Sequence, residues 1–453
     1  MSAHPHGADA ARKVELAQVL ARHGAAYRAT QRLVPVQYRT LRAIEACRTA
    51  ALGGHVERCD GCGRLRYAYH SCRNRHCPKC QTLAKERWLA ARQTELLPVP
   101  YFHVVFTLPH ELNPLAQSNP HTIYRLLFDS AAATLIEFGE NPRWLGGTIA
   151  ATLVLHTWGQ TLTQHLHVHC LIAAGALTPT GQWLRPRRGF LFPVKALSQV
   201  FRGKFLAFLQ RAFDSAALRL AGTTAGLAQA RSRAALFAAL HAQPWVVFAK
   251  QPFAGPQQVL DYLGRYTHRV AISNHRLVSL DDTHVRFRYR DYVHGNRRKL
   301  MRLDALEFIR RFLLHVLPRG FMRIRHYGLL ANRSKRTRLA HARVALNAPL
   351  TSAPATPETV EAFWLRIAQR DIHQCPLLSR RPPDHDRHPP CHRAHHPART
   401  LAMNQRAHPI RSLRLCRAYA SQQPRSRSLP PLTPTHASVI VISSITKPSK
   451  SAP

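Results

Sequence analysis

The sequence predicts an α+β protein, and three observations lead to that prediction. Apolar residues three and four positions apart fill much of the first fifty residues and recur in later segments, as amphipathic helices require. Short runs rich in β-branched and aromatic residues, such as YFHVVFTLP, are typical of strands. The composition changes near residue 345, and from Asp371 to Pro453 the chain is rich in Arg, Pro and His without periodicity, which predicts a disordered tail.

The length and net charge of the chain indicate a nucleic-acid-binding protein. The chain has 453 residues, with 65 Lys and Arg against 23 Asp and Glu, so its formal net charge is +42. An excess of this size predicts a polyanionic partner, and nucleic acid fits best, since no basic amphipathic helix suited to an anionic membrane is apparent. Neither a signal peptide nor an apolar run long enough to span a bilayer is present. We therefore expect a cytoplasmic protein associated with DNA and no membrane partner.

The N-terminal part reads as helix from about Val14 to Leu52, where Gly53 and Gly54 end the pattern. A cysteine cluster follows, and after it LAKERWLAARQTELL predicts a helix that stops before Pro98. The strand YFHVVFTLP then opens a mixed α/β domain.

Within that domain, TIAATLVLHTWG and HLHVHCLIAAGAL predict neighbouring strands of one sheet. Residues 201–220 and 231–241 read as helices, and PQQVLDYLGRYTHRVA has helical spacing. Further on, HVRFRYRDY alternates apolar residues with arginines and predicts a strand with one apolar and one basic face. Asp304 with Glu307 resembles a capping box that opens the helix ALEFIRRFLLHVL.

The cysteines predict a structural zinc site. Five of the ten lie between Cys59 and Cys80, whereas Cys47, Cys170, Cys375, Cys391 and Cys416 are scattered singly. Two CxxC knuckles can supply four thiolates to a tetrahedral Zn²⁺, from Cys59, Cys62, Cys77 and Cys80. Cys72, His70 and His76 lie in the intervening loop and could replace one ligand or build a second site. The same loop carries three basic residues that could contact phosphate, Arg73, Arg75 and Lys79.

Two further segments could carry chemistry. In QHLHVHCL, His165, His167 and His169 recur at period two and share one strand face, where His167 and His169 lie close enough to converge on a metal. In DYLGRYTHRVA, Tyr262 and Tyr266 are four apart on one helix face. A tyrosine pair alone usually packs in a core, but the basic residues around it favour phosphate contacts. The candidate contacts are Arg265, His268, Arg269 and Arg276, with Arg286, Arg288 and Arg290 on the basic strand.

The chain resembles the two-tyrosine rolling-circle insertion-sequence transposases of the HUH endonuclease superfamily. The matching stretches occur in the family's order: SCRNRHCPKCQ, HVVFTLPHELNPL, LHTWGQTLTQHLHVHCLIAAGAL, YLGRYTHRVAISNHRL and GFMRIRHYGLLANR. The resemblance implies an HUH endonuclease domain with a central antiparallel sheet. It implies that His167, Val168 and His169 form the HUH motif and that Tyr262 and Tyr266 are the nucleophiles.

The resemblance also implies the cofactor and the partner. A catalytic Mg²⁺ or Mn²⁺ would need a third ligand, for which His156 is the first candidate and Gln160 and His165 are alternatives. The partner would be DNA, as single-stranded or structured element ends and as target. Strand transfer through a 5′-phosphotyrosine conserves the phosphodiester energy, and the sequence contains no GxxxxGK[ST] phosphate loop, so no nucleotide triphosphate is expected.

The expected organisation has five parts. Residues 1–54 form a helical arm, 55–97 a zinc-ribbon DNA-binding module with its following helix, 98–280 the endonuclease domain, 281–345 a basic strand and helix subdomain, and 346–453 a linker and disordered tail. Two alternatives stay open: a rolling-circle replication initiator or relaxase with the same chemistry, and a non-catalytic zinc-ribbon DNA-binding protein.

Overall fold

The protein is described by a computed structural model that covers residues 14–59, 61–186, 191–253, 258–259, 264, 268, 270–292, 294–350, 358–369 and 371–375. Its helices and antiparallel sheets confirm the α+β class. Among these described residues, no helix has both the length and the apolar character that a bilayer span requires.

The N-terminal arm consists of two helices, α1 (Leu16–Thr30) and α2 (Pro35–Glu45). Pro35 stands in the first turn of α2, where the missing N–H costs nothing and the fixed φ favours the helix. Their apolar faces are buried, and an ion pair of 2.6 Å between Arg28 Nη1 and Glu45 Oε1 joins them.

A small hairpin follows the arm. Strands β1 (Gly54–Arg58) and β2 (Leu65–Tyr69) pair antiparallel, and their side chains are mostly exposed. The helix α3 (Gln81–Gln93) begins immediately after Cys80, close to where the sequence predicts it.

The central sheet contains five principal strands, all paired antiparallel. The strands are β3 (Tyr101–Thr107), β4 (Thr148–Trp158), β5 (Gln164–Leu177), β7 (Val247–Phe253) and β11 (Ile324–Gly328), in the order β11-β4-β5-β3-β7, with the short β6 (Trp183–Leu184) beside β5. The predicted pairing of β4 with β5 is confirmed, and so is the antiparallel central sheet.

The two faces of this sheet differ. On one face alternate residues such as Phe106, Leu155 and Val168 pack in a large apolar core with two long helices. The helices that lie between β3 and β7 in the chain are α4 (Asn113–Ser118), α5 (Pro120–Glu140), α6 (Val194–Asp214) and α7 (Ala230–Ala242). The opposite face has a smaller core that includes Tyr101 and Leu171, and because side chains alternate along a strand, the histidines of β4 and β5 lie on this second face.

A second sheet carries the basic strand. Its order is β10-β9-β8, with β8 (Leu277–Leu280), β9 (His284–Asp291) and β10 (Arg297–Asp304). The alternation predicted for β9 is confirmed, since Val285 and Phe287 are buried while the arginines between them are exposed. The helix α8 (Ala305–Leu313) starts at Asp304, whose side chain accepts hydrogen bonds from the N–H groups of Leu306 and Glu307.

The arm and the second sheet share one hydrophobic core. Leu20 of α1 and Leu41 of α2 are buried in the same cluster as Phe287 of β9 and Phe308 of α8. The N-terminal arm and the second sheet therefore form one folded unit, although the sequence analysis predicts them as separate parts, residues 1–54 and 281–345.

The C-terminal part differs from expectation at two places. After α8 the chain returns to the central sheet as β11, which the predicted boundary at residue 280 does not include. Beyond α9 (Lys335–Ala345), the helix α10 (Val360–Ala368) lies within the part predicted as linker and disordered tail. The Thr359 side chain caps this helix by accepting from the Ala362 N–H, and Phe363 is buried, so part of the predicted linker is an ordered helix. The remaining tail, residues 376–453, lies outside the described residues.

Candidate functional site

Three histidines of β4 and β5 converge on one point. His156 stands directly opposite His167 in the register of the two strands, and His169 lies two residues along the same face. One ring nitrogen from each of the three lies within 4.8 Å of the others. All three are buried or half-buried. Neutral imidazoles gathered in this way are common ligands of divalent metals.

The other ring nitrogens of two of these histidines are engaged by the protein. His167 Nδ1 lies 2.9 Å from the carbonyl oxygen of His165 and donates to it, which leaves Nε2 for a metal. His169 Nδ1 lies 2.9 Å from Nε2 of His103 on β3. Desolvation by burial, reinforced by the charge of Lys250, lowers the pKa of His103 to about 4. His103 is therefore neutral at pH 7, and its Nε2 can accept the Nδ1 proton of His169.

The environment of His156 separates it from the alternative third ligands. Its ring stacks on Trp158, with centroids 4.7 Å apart. His165 is exposed and does not join the cluster. Gln160 lies in the turn after β4, where its Nε2 is 3.4 Å from the Tyr292 hydroxyl. Of the three candidates, the structure places His156 beside His167 and His169.

Tyr262 and Tyr266 lie outside the described residues, as do Arg265 and Arg269. His268 is described: its ring lies 5.8 Å from Trp88. Desolvation first, and then the charges of Arg323 and Lys85, lower the pKa of His268 to about 4, so this side chain is uncharged at neutral pH.

The cysteines form two clusters and not the single site predicted from the two knuckles. Cys77 and Cys80 join Cys47 and Cys72, whereas Cys59 and Cys62 lie with Cys375. The prediction that the knuckles share one ion is therefore wrong for this structure. The physical reason is that a CxxC turn brings together only its own two thiols. The other cysteines of each cluster come from distant parts of the chain, and the tertiary structure determines which ones they are.

The four-cysteine cluster has the dimensions of a zinc site. The Sγ atoms of Cys47 and Cys80 are 3.5 Å apart, those of Cys72 and Cys80 are 3.6 Å apart, and those of Cys47 and Cys77 are 3.7 Å apart. Thiolates placed about 2.3 Å from a tetrahedral zinc are separated by about 3.8 Å, so the cluster needs little adjustment to accept the ion. His70 and His76 do not belong to this set of ligand atoms.

Exposed arginines cover one face of the second sheet. Arg286, Arg288 and Arg290 of β9 project on the face opposite Val285 and Phe287, and the register places two arginines of β10 beside them, Arg302 opposite Arg286 and Arg298 opposite Arg290. Like charges directly opposite each other on a sheet are unfavourable, which favours a polyanionic partner on this face.

Other predicted phosphate contacts are engaged inside the protein. Arg75 donates to the carbonyls of Phe321 and Pro318 at 2.7 and 2.8 Å, and Arg276 donates to the carbonyl of Arg288 at 2.8 Å and to that of Gln160. Lys79 pairs with Glu15. Arg73 is exposed. Sequence alone could not separate the structural arginines from the exposed ones.

Three residues of these sites, His103, Cys47 and Cys375, were not predicted as site residues from the sequence. His103 lies in the interior of β3 between the apolar residues Phe102 and Val104, and a histidine in such a buried strand is a signal that could have identified it. Cys47 and Cys375 stand alone in the sequence and carry no spacing that links them to the knuckles. Their involvement depends on the fold.

Comparisons with known proteins place the chain in a family. The Y2_Tnp family, described as "Putative transposase", matches residues 150–338, and the Zn_Tnp_IS91 transposase zinc-binding domain matches residues 19–108. "Putative transposase y4qJ" of Sinorhizobium fredii is 49% identical over 366 residues, which cover 80% of this chain and 92% of that protein. The transposase for insertion sequence element IS801 of Pseudomonas savastanoi pv. phaseolicola is 28% identical over 301 residues, 66% of this chain and 71% of that protein.

These findings confirm the resemblance drawn from the sequence and support structural zinc in the N-terminal region. They also make DNA the partner of the chain. The chain belongs to the Y2_Tnp family of transposases and carries the transposase zinc-binding domain of the IS91 type.

Proposed function

We propose that the chain nicks one DNA strand at the ends of its insertion sequence and transfers that strand through a 5′-phosphotyrosine, as a rolling-circle transposase of the HUH type. The observation that supports the proposal most directly is the convergence of His156, His167 and His169, with one ligand nitrogen from each within 4.8 Å. Both relatives described above are named transposases, which favours this function over a replication initiator or a relaxase.

In the proposed reaction, a phenol oxygen of Tyr262 or Tyr266 attacks the scissile phosphorus. The new bond joins the tyrosine oxygen to phosphorus, and the bond from phosphorus to the 3′-oxygen breaks. The phenol releases its proton and the 3′-oxygen takes up a proton, so the step has no net proton change. The products are a 5′-phosphotyrosine and a free 3′-hydroxyl. Two tyrosines would allow two successive cleavages during the transfer of one strand.

A phenol with a reference pKa of about 10 is a weak nucleophile at neutral pH, so the phosphate needs activation. Mg²⁺ or Mn²⁺ held by His156, His167 and His169 would polarise the phosphate and balance the charge that develops on it. The protein prepares this arrangement: the His165 carbonyl and His103 orient two of the rings, and Trp158 packs on the third. The arginine face of β9 and β10 would hold the DNA backbone.

The test is covalent attachment of the protein to DNA. Full-length protein is mixed with labelled single-stranded DNA that spans the element ends, with Mg²⁺, with Mn²⁺ or with chelator, and the products are separated on a denaturing gel. We expect an adduct that needs the metal, persists in at least one single variant Tyr262→Phe or Tyr266→Phe, and disappears in the double variant.

The matched control is Tyr38→Phe, which removes the hydroxyl of an exposed tyrosine on α2 and should leave the adduct unchanged. DNA binding without any adduct, on ends known to be correct, would contradict the proposal and favour the non-catalytic zinc-ribbon alternative. An adduct that survives the double tyrosine variant would reject these two nucleophiles.

A further inference from the structure

Three cysteines from two distant parts of the sequence meet at the tip of the β1–β2 hairpin. Cys59 and Cys62 lie in the turn between the two strands, and Cys375 comes from the end of the described chain, 313 residues after Cys62. One ligand atom from each residue lies within 4.8 Å of the others. Cys59 and Cys375 are buried, and Cys62 is exposed. Residue 375 lies well beyond the matched zinc-binding domain, which ends at residue 108.

The distance between two of the sulfur atoms distinguishes a zinc site from a disulfide. Cys62 Sγ and Cys375 Sγ are 3.7 Å apart, far longer than the roughly 2.0 Å of a disulfide. The distance matches the separation of about 3.8 Å expected for two thiolates on one tetrahedral zinc. It also equals the longest of the three distances reported above for the four-cysteine cluster. We propose that Cys59, Cys62 and Cys375 bind a second zinc ion, separate from the first, which joins the C-terminal segment to the hairpin.

The backbone of the hairpin turn is already arranged as a metal knuckle. The Gly63 N–H donates to the Cys59 carbonyl at 2.7 Å, and the Cys59 N–H donates to the Arg64 carbonyl at 2.9 Å. Gly63 has φ of +68°, which a residue with a side chain adopts only with strain. This tight turn holds the thiols of Cys59 and Cys62 near each other before any ion binds.

The hairpin needs a source of stability that its own side chains do not supply. A two-stranded hairpin is marginal in water, and both strands have mainly exposed side chains, including Val56, Leu65 and Tyr67. Binding of a structural zinc contributes directly to folding because the unfolded chain lacks the assembled site. A second ion at the tip of the hairpin would therefore hold β1 and β2 in place.

Outside the cysteine cluster, the helix α10 lies near enough to α3 for an electrostatic effect between them. The Arg366 guanidinium of α10 is paired with Glu358 at 2.8 Å, and this ion pair, with a smaller effect from the Glu86 carboxylate of α3, raises the pKa of Arg366. Helix α3 follows Cys80 directly. The three thiolates would fill three of the four positions of a tetrahedral zinc and leave the fourth for water.

The zinc content of the full chain tests the inference. Protein purified without chelator is analysed by mass spectrometry for metal per chain, and the wild type should hold about two zinc ions, one for each cluster. Cys375→Ser should reduce the content to about one, since three thiolates become two. Cys170→Ala is the matched control because Cys170 is buried in β5 and belongs to neither cluster, so this variant should keep both ions.

A second variant protects the test against a folding failure. Cys62→Ser changes an exposed side chain and should lose the same single ion, and the double variant Cys62→Ser/Cys375→Ser should lose no more than either single variant. Replacement of zinc by Co²⁺ gives an independent readout, because thiolate-to-metal charge-transfer absorption should fall by about half in Cys375→Ser. One zinc in the wild type, two in Cys375→Ser, or none in a folded Cys375→Ser protein would each overturn the proposal. None of these results depends on DNA cleavage.

Discussion

At the scale of single residues, His103 is placed to orient His169, one of the three proposed metal ligands. It stacks on His169 with ring centroids 5.2 Å apart, and its Nε2 is placed to accept the His169 Nδ1 proton. Its low pKa, caused first by burial, matters because a protonated His103 could not accept that hydrogen bond. We therefore assign His103 a positioning role.

We predict that His103→Ala weakens Mn²⁺ binding at the three-histidine site about 10- to 100-fold, because the His169 ring loses the partner that orients it. His103→Gln should restore part of the affinity, since its side-chain oxygen can accept the same hydrogen bond. Isothermal titration calorimetry with Mn²⁺ measures the affinity of both variants. The matched control is His165→Ala, a neighbouring exposed histidine outside the cluster; equal losses in His103→Ala and His165→Ala would contradict the assigned role.

Cys47 belongs to no motif in the sequence, and only the tertiary structure places it with the other cysteines. It is buried at 2% exposure, and its Sγ lies within 3.7 Å of those of Cys77 and Cys80. We predict that Cys47→Ser lowers the affinity for one zinc ion, as competition with a chromophoric chelator would measure, and leaves the ion assigned to Cys375 in place. The control Cys170→Ala should keep both zinc ions. If Cys47→Ser binds zinc as tightly as this control, Cys47 is not a ligand.

At the scale of elements, the arginine face of β9 and β10 is the best-defined candidate surface for DNA. Arg286, Arg288 and Arg290 are exposed on one face, and the opposite face of β9 is buried against α8, so the strand cannot turn its arginines elsewhere. One face of this sheet therefore stabilises the fold, and the other is available to a polyanion.

We predict that replacing Arg286, Arg288 and Arg290 by Gln weakens binding of single-stranded DNA and reduces the slope of log K against log salt by roughly 2, since each lost phosphate contact on a single strand removes about 0.7. Fluorescence anisotropy at several salt concentrations measures the slope. A variant with the same loss of charge at exposed positions elsewhere, Arg125, Arg143 and Arg231 to Gln, is the control. Equal effects of the two triple variants would mean that net charge, and not this face, determines binding.

The elements also show what the sequence could predict. Strands β4 and β5 were predictable because both are apolar and close in the chain, and their period of two places His167 and His169 on one face. Strand β11 was not predictable, because IRHYG is short, half-buried and without alternation, and it joins the sheet only through its long-range pairing with β4. The additional cysteines of the two CxxC turns were not predictable either, because they are also brought in by long-range contacts. The spacing of a CxxC turn describes local structure only and gives no information about Cys375.

At the scale of the whole molecule, the four-cysteine cluster is continuous with a hydrophobic core. Cys47 and Cys77 are buried in the hydrophobic cluster that also contains Leu20, Phe287 and Phe308, so these two proposed zinc ligands pack against both the arm and the second sheet. The ion would therefore stabilise contacts between parts of the chain that are more than 200 residues apart.

We predict that removal of zinc lowers the melting temperature of the full chain by at least about 5 °C, because structural zinc contributes several kcal/mol to folding. Thermal unfolding with and without a strong zinc chelator measures the shift, and added zinc should reverse it. Cys170→Ala should show the same response to chelator as the wild type. An unchanged melting temperature after verified metal removal would contradict a structural role.

Acid should destabilise the molecule through its buried histidines, and His315 gives the clearest case. It is 2% exposed, its Nε2 lies 3.0 Å from the Leu162 carbonyl, and its Nδ1 lies 3.3 Å from the Thr157 hydroxyl. Desolvation lowers its pKa to about 4, against an ordinary value of 6.5. Between those values the unfolded chain binds a proton that the folded chain does not, so the free energy of unfolding falls as pH falls.

We predict that His315 alone contributes a loss of up to about 1.4 kcal/mol per pH unit between pH 6.5 and 4, and nothing above that window. His315→Gln can keep both hydrogen bonds but cannot titrate, so its stability relative to the wild type should rise as the pH falls. Urea unfolding at pH 7.5, 6 and 5 measures the difference, and any acid loss of zinc affects both proteins alike. The exposed-site control His110→Gln should follow the wild type, and a constant difference between His315→Gln and the wild type across this range would exclude His315 as a source of the acid sensitivity.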